Sequence, residues 1–285
     1  MGRCILHQEK MRIGIRGGLH HKNQIGIDLM NGKGIDFSWD VGDPQNDWIM
    51  FTDDFSPPVA GKTKIIYGPH ISLERLSSFP NRESYYFNSL SPWLADLSKQ
   101  LFGDKKFVPL PFPVDVDKFC PQKKDGKPVI YFKRRRGEIL ENFKNSFPST
   151  EFDFFDYSQR YEENNFLHKI ARAPYCVWIG SHESQGFALQ ETLSCNTPVF
   201  VIEARDLRDE QGTSWDSLFP GRVLPCTSAS YFNEKCGLIS SPEKFKEDFS
   251  LFLENLNLYS PREFILETLS PESCIDRWHK VLCRM

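Results

Sequence analysis

The sequence predicts an α/β protein made of two doubly wound lobes, and three observations lead there. Short apolar runs in the first third of the chain stop in glycine or turn-forming residues, as parallel strands do where they feed a connection. The proline-rich stretch PLPFPVDVDKFCP (Pro109 to Pro121), followed by the charged turn KKDGK, then breaks the pattern. Beyond it, strand and helix signals alternate up to Ile202, and such alternation builds a parallel sheet covered by helices.

Taken in order, Met11 to Ile15 is the first strand and ends in the pair Gly17-Gly18, the way a nucleotide-binding lobe often opens. Trp48 to Phe51, Lys64 to Tyr67 and Ser84 to Phe87 follow as strands; the second of these runs into Gly68-Pro69-His70 and the third into Asn88. Ser91 and Pro92 supply a cap and a pre-set first turn for a helix reaching Leu101. Phe107 to Leu110 is extended. After the prolines, strands are expected at Val129 to Phe132, Phe152 to Phe155, Tyr175 to Ile179 and Val199 to Ile202. The helices between them span Gly137 to Asn145, Glu162 to Arg172 and Phe187 to Ser194. Glu203 to Gly221 is long and polar and reads as a surface excursion. Glu243 to Leu256, Pro261 to Leu269 and Pro271 to Leu282 are the closing helices.

Composition narrows the class. With 40% hydrophobic and 26% charged residues, the 285-residue chain can bury a core, and 24 Phe suit a packed interior. A net charge of −3 gives no electrostatic footprint for nucleic acid. The eight cysteines form no C-x-x-C pair, so they read as reduced thiols of a cytoplasmic protein, mostly small core residues. Cys4 with His7 is read as part of a loose N-terminal tail. MGRCILHQEK lacks the apolar stretch of a signal peptide, and Leu6 stands where a myristoylation pattern wants Ser or Thr. No run has the length of a membrane span, although peripheral membrane contact is compatible with the sequence.

The sharpest local signal is GSHESQGFALQE, Gly180 to Glu191. A buried-type strand (YCVWI) ends in a loop that carries Glu183 and Gln185, and a helix begins after Gly186. That places a carboxylate and free amides at the carboxyl end of a parallel strand, where open α/β sheets bind ligands. The helix N-terminus favours a diphosphate, and Gly186 lets the backbone approach it. Glu183 and Glu191 lie just over two turns apart, so they can face one cleft at different depths, suiting the sugar and ribose hydroxyls of an extended donor. The basic run Lys133 to Arg136 directly follows a strand. Tyr157 ends another and is a candidate for a base pocket, whereas Trp178 reads as core. Trp93 is a further aromatic able to stack on a base or sugar, and Asn88 and Ser91 are minor candidates facing the cleft.

Glu183 to Glu191 resembles the E-x7-E motif of retaining GT-B glycosyltransferases, notably glycosyltransferase family 4. The following TLSCNTPVFV looks like that family's helix, turn, proline and buried strand. PVDVDKF (Pro113 to Phe119) resembles its G-V-D-x-x-x-F segment with Pro113 in place of glycine, and YFKRRR is similar to its basic strand end. The likeness covers Phe107 to Val201 well; the first lobe matches in layout and little in detail. It implies a GT-B fold of two Rossmann-like lobes flanking a cleft. The first would span Met1 to Pro111 and the second Phe112 to Ser260, with helices from Pro261 to Met285 packing back on the first.

The resemblance also implies roles. Glu183 would bind donor-sugar hydroxyls and stabilise positive charge at the anomeric carbon, and Glu191 would hold the ribose. Gln185, Gly186 and Phe187 would offer backbone amides. Lys133 and one of Arg134, Arg135 or Arg136 would neutralise the leaving diphosphate, with Gly17 and Gly18 near the donor. His70 would line the sugar pocket, and His20 and His21 compete for that role or for an acceptor contact. Fixed cations and helix amides aimed at the leaving group can replace a divalent metal, so no metal and no cofactor beyond a UDP-sugar or GDP-sugar donor is expected. The Asp115-Val-Asp117 triplet belongs to the linker. The expected acceptor is a glycan or a lipid- or protein-linked glycan. A nucleotide-sugar epimerase or hydrolase, and a non-catalytic sugar-nucleotide-binding module, are the competing readings.

Overall fold

The computed structural model describes residues 10–53, 64–79, 85–103 and 106–285. The N-terminal tail with Cys4 and His7 lies outside them, as does part of the run before Asn88.

The first sheet holds six strands: β1 (Met11–Arg16), β2 (Ile35–Ser38), β3 (Trp48–Phe51), β4 (Ile65–Tyr67), β5 (Tyr86–Asn88) and β6 (Phe107–Val108). They lie in the order β2-β1-β3-β4-β5-β6, and every pairing is parallel. The second sheet holds β7 (Val129–Lys133), β8 (Asp153–Asp156), β9 (Cys176–Gly180), β10 (Val199–Ile202) and β11 (Gly237–Ser240), in the order β11-β10-β9-β7-β8, again parallel throughout. Strands covered on both faces have no polar side to show, which is why WIMF, CVWIG and VFVI read as unbroken apolar runs.

The helices of the first lobe are α1 (His21–Met30), α2 (Leu73–Ser77) and α3 (Pro92–Phe102). Those of the second are α4 (Gly137–Ser146), α5 (Glu163–Arg172), α6 (Phe187–Ser194), the short α7 (Trp215–Leu218) and α8 (Phe245–Glu254). The chain closes with α9 (Pro261–Thr268) and α10 (Pro271–Leu282). The phenylalanines fill the sheet faces. Successive strands stack Phe51 on Tyr67 at 5.3 Å, Tyr67 on Phe87 at 5.8 Å and Phe87 on Phe107 at 5.1 Å. In the second lobe Phe143, Phe200 and Phe249 pack below the sheet, and Tyr131 stacks flat on Trp178 at 4.1 Å above it.

Five described elements, α1, β2, α2, α7 and β11, escaped the sequence reading. α1 has no clean apolar stripe, and Gly26 weakens it further. A Cβ on Gly26 would sit 2.7 Å from that of Phe112, so the glycine is there to admit the linker. β2, α2 and β11 are short, and tertiary pairing rather than local propensity holds them. The polar stretch after Ile202 is only partly an excursion, because it carries α7 and a capped 3-10 turn at Leu207–Asp209.

One hydrophobic cluster runs through both lobes. Trp278 of α10 is central to it: its ring meets Phe37 of β2 at 5.7 Å and Phe112 at 5.5 Å, and its Nε1 donates to Pro111 O at 2.8 Å. Arg262 of α9 fastens the linker by donating to Phe119 O, Ser194 O and Val116 O. Asp115 does a linker's work as well, accepting from Lys118 N at 3.0 Å.

Candidate active site between the lobes

Each sheet reverses its strand order once, between β1 and β3 in the first and between β7 and β9 in the second. Parallel sheets bind ligands at such points, outside the carboxyl ends of the strands. Here the two points face each other, as contacts across the gap show. His20, just past β1, feels the charge of Lys133 at the end of β7. Lys22 of α1 reaches Glu191 of α6 at 2.5 Å, and Trp93 Nε1 of α3 donates to Glu183 O at 2.9 Å.

On the first lobe, Gly17 takes φ 106°, and a Cβ there would collide with the side chains of Thr52 and Asp53 at the end of β3. Gly18 N donates to Asp53 Oδ2 at 3.1 Å, and Thr52 Oγ1 donates to Gly18 O at 2.7 Å. The glycine pair is therefore a turn braced from β3. The loop it starts delivers His20, whose backbone N–H donates to His70 Nε2 at 3.1 Å. Burial lowers both histidines below their ordinary range, against a raising pull from Asp53 on His70. His70, accepting from His20 N–H at Nε2, is a neutral ring with its proton on Nδ1.

On the second lobe, Lys133 Nζ lies 2.9 and 2.8 Å from the two carboxylate oxygens of Glu183, which is 5% exposed. Lys133 and Arg134 both cover the ring of Tyr157, at 4.7 and 5.3 Å from its centroid. Arg134 has φ 51°, which turns the chain and aims its side chain at Glu210, 3.1 Å away. Arg135 does not join them. It is 2% exposed, lies 3.4 Å from Asp209 Oδ2 and donates to Glu203 O, so the turn at Arg134 sends it into the lobe instead of into the cleft. The expectation that Arg135 belongs with the diphosphate cations is corrected on that ground. Arg136 precedes α4 at its N-cap position.

Gly186 sits at φ 84° as the N-cap of α6, a conformation that glycine adopts without strain. The first helical bond runs from Gln190 N to Gly186 O, so the amides of Phe187 and its neighbours are not used within the helix. Gln185 is buried, and its side chain grips the linker: Oε1 accepts from Phe112 N at 2.9 Å and Nε2 donates to Phe112 O at 2.6 Å. Its backbone O accepts from Gln190 Nε2, so only its backbone N–H is left for a ligand. Asn88 is similarly committed, to Leu110 N and O and Leu90 N. Ser91 is buried, and Trp178 is core, as its sequence context indicated.

A cavity of about 960 Å³ opens along this face, lined by His20, Lys22, Arg134, Tyr157, Ala188 and Glu191 among others. Lys22 bridges Glu191 and Glu163, and Lys118 also pairs with Glu163. Burial pushes the Glu191 carboxyl up to about 7 against the opposing pull of Lys22. For Glu163, burial acts upward too, but hydrogen bonds from Lys118 and Lys22 prevail and hold it at about 2. Glu191 thus keeps its proton in the folded state to a higher pH than in the unfolded chain. Between about 4.5 and about 7 the folded state binds more protons, so stability falls as pH rises through that window. In denaturant titrations across this range, the stability of the wild type relative to Glu191→Gln is expected to fall as pH rises.

Sequence reasoning missed Lys22, His182 and Glu210. Glu210 accepts from Arg134 and, at 3.3 Å, from Trp215 Nε1, and it faces His182 Nδ1 at 3.5 Å. Only His182 carried a signal, its place beside Glu183; Lys22 and Glu210 lay in stretches without clear periodicity. Among the described residues, no group of three His, Cys, Asp or Glu is arranged to hold a metal ion. No described helix is long and apolar enough to cross a membrane.

No protein-family model matches the chain, and no curated protein matches its sequence. Solved structures do resemble it. The lipopolysaccharide outer core galactosyltransferase WaaB, in its apo form, is 12% identical with a TM-score of 0.58, over 96% of this chain and 100% of that one. Sucrose-phosphate synthase from Thermosynechococcus elongatus is 11% identical with a TM-score of 0.51, over 84% and 73%. A variant of S. aureus TarM, in complex with fondaparinux, alpha-GlcNAc-glycerol and UDP, is 12% identical with a TM-score of 0.50, over 88% of this chain and 52% of TarM. At such identities the likeness is one of fold, and the fold is GT-B: two parallel α/β lobes facing across a cleft.

Proposed function

We propose that the protein is a metal-independent glycosyltransferase that takes a sugar from a nucleoside-diphosphate donor held between its lobes. The observation that carries this reading is the contact of Lys133 with Glu183 where the two switch points face each other, beside a cavity that extends to Glu191 and Tyr157. In this reading the base lies towards Tyr157 and the ribose hydroxyls bind Glu191, displacing Lys22. The diphosphate lies against Lys133, Arg134 and the N-terminus of α6, where cations and amides stabilise the charge that develops on the leaving group. Glu183, released from Lys133 by the diphosphate, takes the sugar hydroxyls, and His70 donates to the sugar from Nδ1. UDP in the TarM complex supports a nucleoside diphosphate as the ligand. Transfer to a glycan or lipid-linked acceptor with retention is the finer form of the proposal, and the anomeric linkage of the product tests it.

Thermal shift against UDP-, GDP- and ADP-sugars identifies the donor, since a ligand at about 100 times its Kd adds about 2.7 kcal/mol to folding stability. With that donor, Lys133→Ala removes a charge-assisted contact worth about 1.5–3 kcal/mol. UDP or the matching diphosphate is then expected to bind about 10- to 100-fold more weakly by calorimetry. A chelator is expected to leave both binding and turnover unchanged; strong inhibition by EDTA would reject metal independence.

A further inference from the structure

The polar stretch after β10 leaves the second lobe and packs on the first. Leu207, Phe219 and Leu224 are buried in the cluster that holds Phe51, Tyr67, Phe87 and Phe107 of the first sheet. Phe219 meets Phe102 of α3 at 6.2 Å, and Arg222 donates to Gln100 O at 3.1 Å. The stretch is also stiffened from within. Asp206 and Asp209 cap its 3-10 turn reciprocally, and Arg208 pairs with Asp206 at 2.9 Å and donates to Arg222 O at 2.6 Å. Glu210 follows that turn directly, and its side chain is 4% exposed. Oε1 accepts from Arg134 Nη1 at 3.1 Å and Oε2 from Trp215 Nε1 at 3.3 Å. The next residue, Gln211, donates its N–H to Arg134 O at 2.9 Å. Both the side chain and the backbone of Arg134 are therefore held by a segment anchored on the opposite lobe.

Arg134 depends on such a hold. Its side chain is 50% exposed, so packing does not set its direction, and the ring of Tyr157 beneath it is itself exposed. Its φ of 51° persists in a non-glycine residue only where the surroundings over-determine it. The bond to Glu210 uses one of the five N–H donors of the guanidinium and leaves the others for an anion. We propose that Glu210 is a positioning residue: braced by Trp215 and by the stretch docked on the first lobe, it aims Arg134 at the diphosphate. The proposal rests on the donor placement given above. A guanidinium fixed before the ligand arrives loses little freedom on binding it, whereas a loose one is ordered at the expense of affinity. Were Glu210 only a counter-charge to Arg134, its removal would instead strengthen the binding of an anion, because one negative charge beside the site would be gone. The two roles therefore predict opposite signs.

The test is calorimetry on the full chain with UDP, GDP and ADP, followed by a double-mutant cycle with whichever of them the wild type binds. Arg134→Ala is expected to weaken that diphosphate by about 10-fold. Glu210→Gln is expected to weaken it by about 5- to 10-fold, since the single amide oxygen can keep Arg134 or Trp215 but not both. Trp215→Phe, which keeps the ring and every charge, is expected to weaken it by about 3-fold, and it decides the matter should Glu210→Gln not fold. In an Arg134→Ala background neither change is expected to add more than about 2-fold, a coupling that a general structural role would not produce. A Glu210→Gln protein that binds the diphosphate as well as the wild type or better overturns the proposal, and so does a full further loss in the Arg134→Ala background. Unchanged affinity in Arg134→Ala also overturns it, while the transferase reading would still stand on Lys133. Wild-type protein that binds none of the three diphosphates overturns the transferase reading itself.

Discussion

Glu183→Gln is expected to lower the rate of sugar transfer by about 10²–10³-fold, the scale seen when one preorganised electrostatic partner of a transition state is removed. Glutamine keeps the shape and one hydrogen-bond acceptor but discards the charge that a developing oxocarbenium ion would feel. The same change frees Lys133, whose amino group lies 2.8 and 2.9 Å from the two carboxylate oxygens. A diphosphate then no longer competes with Glu183 for that cation. Affinity for the nucleoside diphosphate is therefore expected to stay level or rise while kcat falls. Calorimetry with the diphosphate and single-turnover transfer measure the two quantities separately. Parallel losses of affinity and rate would mean that Glu183 matters only as a prop for Lys133.

Trp278→Ala is expected to cost about 3–5 kcal/mol of folding stability, the range for emptying a large aromatic from a core. Trp278 is fully buried, touches Phe37 and Phe112, and donates to Pro111 O, so its loss leaves both a cavity and an unpaired carbonyl in the seam where α10 meets the first lobe. Trp278→Phe keeps most of the volume and loses the hydrogen bond, so an intermediate cost is expected. Chemical denaturation checks both. A loss below about 1.5 kcal/mol for the alanine variant would show that the seam is held elsewhere, with Arg262 and Gln185 the next residues to examine.

β7, β9 and β10 of the second lobe were legible because buried parallel strands have no polar alternation to blur them, and Gly186 marked the start of α6 because a left-handed N-cap favours glycine there. α1 was not legible. Its helical state depends on Gly26 nesting against Phe112, a residue far along the chain. The run Lys133 to Arg136 shows the same limit within four residues. Its composition predicted cations at a strand end, but the positive φ at Arg134 decided that Lys133 and Arg134 meet Tyr157 while Arg135 turns inward to Asp209.

By itself the sequence determined two alternating lobes, the linker between them and the placement of Glu183 and Glu191 around a helix start, because each depends on local periodicity, turn chemistry and spacing. Only the tertiary structure decided which groups share the cleft: Lys22 against Glu191, Trp93 against the backbone of Glu183, and Glu210 between Arg134 and His182. Those pairings join residues tens of positions apart or more. Their geometry comes from how two sheets are set against each other, and no periodicity along a single chain encodes it.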